Sequence, residues 1–201
     1  MSITNYAELK SAIGDFLNRD DLTAVIPTFI SLGEARIARD LSHWKQEKRV
    51  TTDIDERYED LPNDWISIIQ VQHTDGGVIS SASSSEMAGY RAQSNTPAKP
   101  RYWRLTANEM EFYPIPDATY NITMLYRARI PALTDADPSN WLLTYSPDVV
   151  LYAALMQSAP YLADDARVAV WGSMYQSGVE ALNNESAQAQ VSGPLSMRIP
   201  R

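Results

Sequence analysis

The stretch Asn140-Trp141-Leu142-Leu143-Thr144-Tyr145-Ser146-Pro147-Asp148 decides how the chain is read. Ser146-Pro147-Asp148 has the order of a helix start. A serine hydroxyl caps free backbone N–H groups, and a proline at the first helical position gives up an N–H that has no partner anyway. An aspartate beside them complements the positive end of the helix dipole. Tyr145 and Val150 stand where a hydrophobic staple would place them. Val149, Val150, Leu151, Tyr152, Leu155 and Met156 leave little polar surface, so the helix they form is expected to be buried on most sides. A second helix is expected to open near Asp164-Asp165, with Val168, Trp171, Tyr175, Val179 and Leu182 on one stripe. Pro160 breaks the connection, and the pair reads as an antiparallel helical hairpin. The hairpin has no catalytic pattern; it describes a packing scaffold.

The N-terminal end repeats this helical reading. Asn5 and Glu8 have capping-box spacing, followed by an apolar stripe through Tyr6, Leu9, Ile13, Phe16 and Leu17. After the polar break 18–21, Ile26, Ile30, Gly33, Ile37 and Leu41 make a second stripe with Pro27 in its first turn. Glu34, Arg36, Arg39 and Asp40 read as a solvated face of mixed charge.

From Trp44 the period changes. Segments 45–52 and 57–61 read as short strands, and 65–73 as a longer one rich in β-branched residues. Thr74-Asp75-Gly76-Gly77 is a hairpin turn returning through Val78 and Ile79. Ser83 and Glu86 suit the start of a short helix to about Arg91. Segments 101–106 and 109–113 are expected to pair across Ala107-Asn108, and Pro114-Ile115-Pro116-Asp117 to form a rigid corner. Tyr120, Ile122, Met124, Tyr126 and Ile130 alternate with polar residues in the clearest strand signal of the chain. Tyr102 and Trp103, beside Arg101 and Arg104, are read as core aromatics rather than as a base-stacking patch.

The expected fold is α+β: an N-terminal helical pair and a C-terminal helical hairpin form a bundle, with an inserted antiparallel β module and an extended C-terminal arm. Residues 1–185 are expected to be one domain, helical over 1–43 and 146–185, β-rich over 44–131 and connecting over 132–145. Residues 186–201 form the arm. Its small polar residues cannot bury enough apolar surface to offset chain entropy, while Leu195, Met197 and Ile199 alternate with Ser196 and Arg198 as in a segment that docks on a partner. Leu195, Met197, Arg198, Ile199 and Arg201 are the candidate docking residues.

Composition narrows the chemistry. The chain of 201 residues has no cysteine, which removes disulfides, thiolate metal sites and a cysteine nucleophile. His43 and His73 are its only histidines and lie far apart, so no metal or other cofactor is expected. No apolar run reaches the length of a membrane span, and residues 1–5 lack the pattern of a signal peptide. Folding in a reducing cytoplasm is expected. A net charge of −8 disfavours attraction to free nucleic acid. Glu59-Asp60 and the pair Glu109 and Glu111 are the carboxylates to weigh as a glycosidase pair, but the sequence gives no sign of either pair lying across a cleft. No phosphate loop and no nucleophile elbow is present.

Three stretches resemble the head-to-tail adaptor (connector) proteins of short-tailed bacteriophages. The first runs from Asn5-Tyr6-Ala7-Glu8-Leu9-Lys10 to Arg39-Asp40-Leu41. The second is Tyr113-Pro114-Ile115-Pro116-Asp117 with Tyr120 and Tyr126. The third joins Asp135, Asp137, Asn140-Trp141-Leu142-Leu143, Pro147-Asp148, Tyr152-Ala153-Ala154-Leu155, Ala159-Pro160-Tyr161-Leu162 and Trp171. Residues 72–99 match no part of the pattern. The resemblance implies a structural virion protein of the head–tail neck with no enzymatic activity, assembled in the bacterial host cytoplasm. Its implied partners are the portal protein, tail or nozzle proteins and further copies of itself, in a closed ring of about twelve. DNA would pass through the lumen without specific binding, and no membrane is involved. The enzyme alternative is a tail-associated peptidoglycan-degrading activity.

Overall fold

The computed structural model describes residues 3–19, 21–162 and 166–190. The chain divides into two units, Met1–Lys45 with Ile130–Arg201, and Gln46–Arg129.

The first unit is helical. α1 (Tyr6–Leu17) begins at Asn5, whose side chain accepts the Glu8 N–H at 3.0 Å. The Glu8 carboxylate accepts the Thr4 N–H at 2.7 Å, one residue before the N-cap. Asn18 ends the helix in the left-handed conformation at φ 52°, which asparagine tolerates. α2 (Ile26–Asp40) carries Pro27 in its first turn, as expected. α4 (Trp141–Tyr145) is capped by Asn140, which accepts the Leu143 N–H at 2.9 Å. α5 (Pro147–Met156) buries Val149, Val150, Leu151, Ala153, Ala154 and Leu155, the nearly all-round burial its composition implies. A short 3-10 turn, Ala159–Tyr161, precedes α6 (Arg167–Gln190).

Ser146 differs from expectation: its hydroxyl caps nothing. Its N–H closes α4 on the Leu142 carbonyl at 2.7 Å, and its ψ of 71° is far from the extended backbone of a side-chain cap. One residue ends a helix and begins the next, and the backbone geometry of the ending wins.

Gly33 brings α2 against α5. A Cβ there would lie 2.9 Å from the Ala154 nitrogen and 3.0 Å from the Ala153 carbonyl carbon. Gly178 lies against Val149 near the start of α5, and Gly172 against Met156 near its end, so α5 and α6 run antiparallel. Trp171, Tyr175, Val179 and Leu182 of α6 are buried, and Val168 packs beside them.

The second unit corrects the expected architecture. It is not an antiparallel module inserted in a helical bundle but a large module built on one seven-stranded sheet with a parallel pair. Its strands are β1 (Glu47–Ile54), β2 (Tyr58–Asp60), β3 (Trp65–His73), β4 (Val78–Ser81), β5 (Tyr102–Thr106), β6 (Glu109–Tyr113) and β7 (Tyr120–Ala128), in the order β1-β7-β3-β4-β5-β6-β2. The β4–β5 pairing is parallel, and α3 (Ser84–Gln93) carries the crossover. The Ser83–Glu86 capping box of α3 is present with both its bonds. A helix between two strands is what a parallel neighbour requires. The β3–β4 and β5–β6 hairpins form where the sequence places them.

The sheet curls into an open half-barrel, and one short link explains why. β1 and β2 occupy opposite edges yet are joined only by residues 55–57. Six strand spacings in a flat sheet would separate them by about 29 Å. Four Cα steps reach at most about 14 Å. The edges must therefore approach each other. The concave side closes over Ile54, Val71, Ile79, Phe112, Ile122 and Met124, a core separate from that of the helical unit.

Candidate functional site

Two of the four carboxylates weighed for catalysis, Glu59 and Glu111, have structural work. Glu111 is 2 % exposed on β6 and sits between two arginines. Arg104 of β5, its cross-strand partner, approaches one carboxylate oxygen at 3.1 Å, and Arg91 from the last turn of α3 engages the other. Arg104 also donates to Ser84 at 2.6 Å and to Thr106 at 2.9 Å. With both oxygens held by cations, Glu111 fastens α3 to the sheet. Glu59 accepts the N–H groups of Asp55 and Glu56 at 3.1 and 3.2 Å and so shapes the 55–57 link. Asp60 and Glu109 stand opposite each other in the β2–β6 register, both exposed on the sheet.

The aromatics read as core divide. Trp103 packs against the sheet core, whereas Tyr102 stacks on Tyr90 of α3 at 4.4 Å between ring centroids. Tyr90 stacks in turn on Tyr113, whose hydroxyl donates to the Tyr90 and Ser94 carbonyls. Tyr126 donates its hydroxyl to Asp64 at 2.9 Å; burial, with that bond, pushes its pKa up to about 12. Lys48 and this hydroxyl hold the Asp64 carboxyl below the usual carboxylate range.

The helical unit presents three surface features. Lys45 places its ammonium 3.4 Å from the ring centroid of Tyr145, with Trp44 and Trp141 also within cation–π reach. His43 stacks on Trp141 at 5.4 Å, and burial lowers its pKa. Trp44 and Tyr145 remain largely exposed. Next, a cleft between α2 and α6 is lined by Arg36, Asp40, Tyr175, Gln176, Glu180 and Asn183, with Arg36 paired to Asp40 at 2.9 Å. Last, the outer face of α6 exposes Val170 and Met174, and from Ala169 to Gln190 its exposed positions carry one charge, Glu180. Charge-poor faces with apolar side chains suit burial against another protein.

Of the expected arm, residues 186–190 continue α6, and Ser186 is buried, its hydroxyl accepting the Trp44 N–H at 2.9 Å. Leu195, Met197, Arg198, Ile199 and Arg201 lie outside the described residues. Among the described residues no group of acidic or histidine side chains is arranged to hold a metal, and no helix is long and apolar enough to cross a membrane. Sequence reasoning weighed Glu111 only for catalysis and missed its pairing with Arg91 and Arg104. The available signal was the register of the 101–106/109–113 hairpin, which sets Arg104 opposite Glu111.

The family profile described as SU10 adaptor protein matches residues 4–198. No curated protein matches the chain.

Proposed function

This chain belongs to the SU10 adaptor protein family, a phage head-to-tail adaptor family, and on that footing we propose how it serves as a structural adaptor of the virion neck. The adaptor contacts the portal on one side and tail components on the other. Copies of the chain close into a ring of about twelve beneath the portal, each meeting the next through two different surfaces. The ring extends the DNA channel and offers a platform for the tail. The net charge of −8 supports this reading, because a lumen of negative character lets a polyanion slide without sticking. The charge-poor outer face of α6 supports it too, as surface available to a neighbouring protein. Residues 191–201, with Leu195, Met197, Arg198, Ile199 and Arg201, act as a docking arm against the portal or the next adaptor.

The match over residues 4–198 carries the proposal. Mass measurement of the purified protein alone and with portal rings of its phage tests it. A stoichiometric ring-on-ring complex is expected; a protein that remains unbound at all concentrations overturns it. Clearing of peptidoglycan by the purified protein, lost on a single Asp or Glu substitution, would replace the adaptor-only reading with the enzymatic one.

A further inference from the structure

The half-barrel is open between β1 and β2, and we propose that this seam receives residues 195–199 of a neighbouring copy as an added strand. The proposal rests on the ring reading above and names the surface through which one copy grips the next.

β1 pairs with β7 on one side only, and β2 with β6 on one side only, among the described residues. Such edges offer unpaired N–H and C=O groups to an extended segment. One strand inserted between two edges sets them about 9.6 Å apart. The link over residues 55–57 keeps the near ends of β1 and β2 within about 14 Å. That limit is compatible with one inserted strand and excludes three. Thr52 marks the opening. It shares the concave side with Val50 and Ile54, which pack on the sheet core, yet Thr52 is exposed.

Charge and direction select the occupant. From Asp53 to Asp60 the chain carries five carboxylates and one arginine, Arg57. Arg57 donates to Asn95 at 2.9 Å; on β1, Lys48 is paired with Asp64, and Arg49 is exposed. Residues 191–201 carry Arg198 and Arg201 and no acidic side chain. Leu195, Met197 and Ile199 supply one apolar face at strand spacing, and Pro194 and Pro200 bracket it where a missing N–H is tolerated. The 55–57 turn blocks one end of the seam, so the arm enters from the other. It then runs parallel to β1 and antiparallel to β2, which brings Arg198 and Arg201 to the acidic turn.

The native chain has no cysteine, so disulfide trapping reads the contact directly. Full-length Thr52→Cys and Met197→Cys variants are mixed with portal rings of the same phage under mild oxidation. A disulfide-linked heterodimer is expected, lost when Arg198→Glu and Arg201→Glu are added. Thr51→Cys, on the opposite side of the sheet, is expected to give none and controls for register. A chain carrying both cysteines that closes on itself, without dimers, overturns the neighbour as occupant. Rings of normal mass lacking any Thr52–Met197 product overturn the seam while leaving the ring standing. Failure of the unsubstituted chain to join a ring removes both.

Discussion

The Tyr175 hydroxyl donates to the Asp40 carboxylate at 3.0 Å, tying the middle of α6 to the end of α2. Tyr175 is 2 % exposed, and burial, with this bond, raises its pKa well above the ordinary value. Tyr175→Phe keeps the ring and removes the donor, while Asp40 keeps Arg36 at 2.9 Å. The expected cost is about 1 kcal/mol, read as a shift of the denaturant midpoint at unchanged slope. An unchanged midpoint would mean that the bond adds nothing beyond packing.

Gly33 is expected to be the least replaceable glycine of the helical unit. Its added Cβ meets backbone atoms of Ala153 and Ala154, which cannot rotate aside. Gly33→Ala is expected to cost about 1–3 kcal/mol through displacement of α2 from α5. At Gly178 the contact at 2.7 Å is the Val149 side chain, which can turn away. Parallel melts of the two alanine variants should rank Gly33 as the more damaging.

Glu111→Gln leaves Arg91 and Arg104 together without their shared counter-charge. A loss of about 3 kcal/mol is expected, as for breaking a buried ion pair. Arg91→Gln should cost less, because Arg104 still meets Glu111 at 3.1 Å. Chemical denaturation of both variants, followed by tryptophan fluorescence, supplies the comparison; equal losses would contradict the triad's central role for Glu111.

Glu34 gives a pH signature. Burial raises its folded-state pKa, opposed by the Leu133 N–H that it accepts at 2.8 Å. The folded chain thus holds this proton more readily than the unfolded chain, and the group's contribution to stability falls as pH rises through the raised value. Glu34→Gln keeps an acceptor for Leu133 and removes the titration. The variant is expected to gain on the native protein at neutral pH, with the gain disappearing below the ordinary carboxylate range. A difference between the two melts that does not vary with pH would exclude this account.

Local order was legible in the residues themselves. The stripes through Leu9 and Ile13, Ile30 and Ile37, and Trp171 and Tyr175 are buried helix faces, and the alternation from Tyr120 to Tyr126 is a half-buried strand. These signals involve neighbours within one or two turns, where backbone period and side-chain polarity act together. The family resemblance was legible for the same reason, since it rests on short scaffold motifs. Only tertiary structure decided that β4 and β5 run parallel, that β1 and β2 end at opposite edges of one curled sheet, and that Glu111 is buried between Arg91 and Arg104. Each depends on which distant strands pair, and alternation specifies a face without specifying a neighbour. Ser146 makes the same point at one residue: its type suits a cap, but the end of α4 sets its backbone angles first.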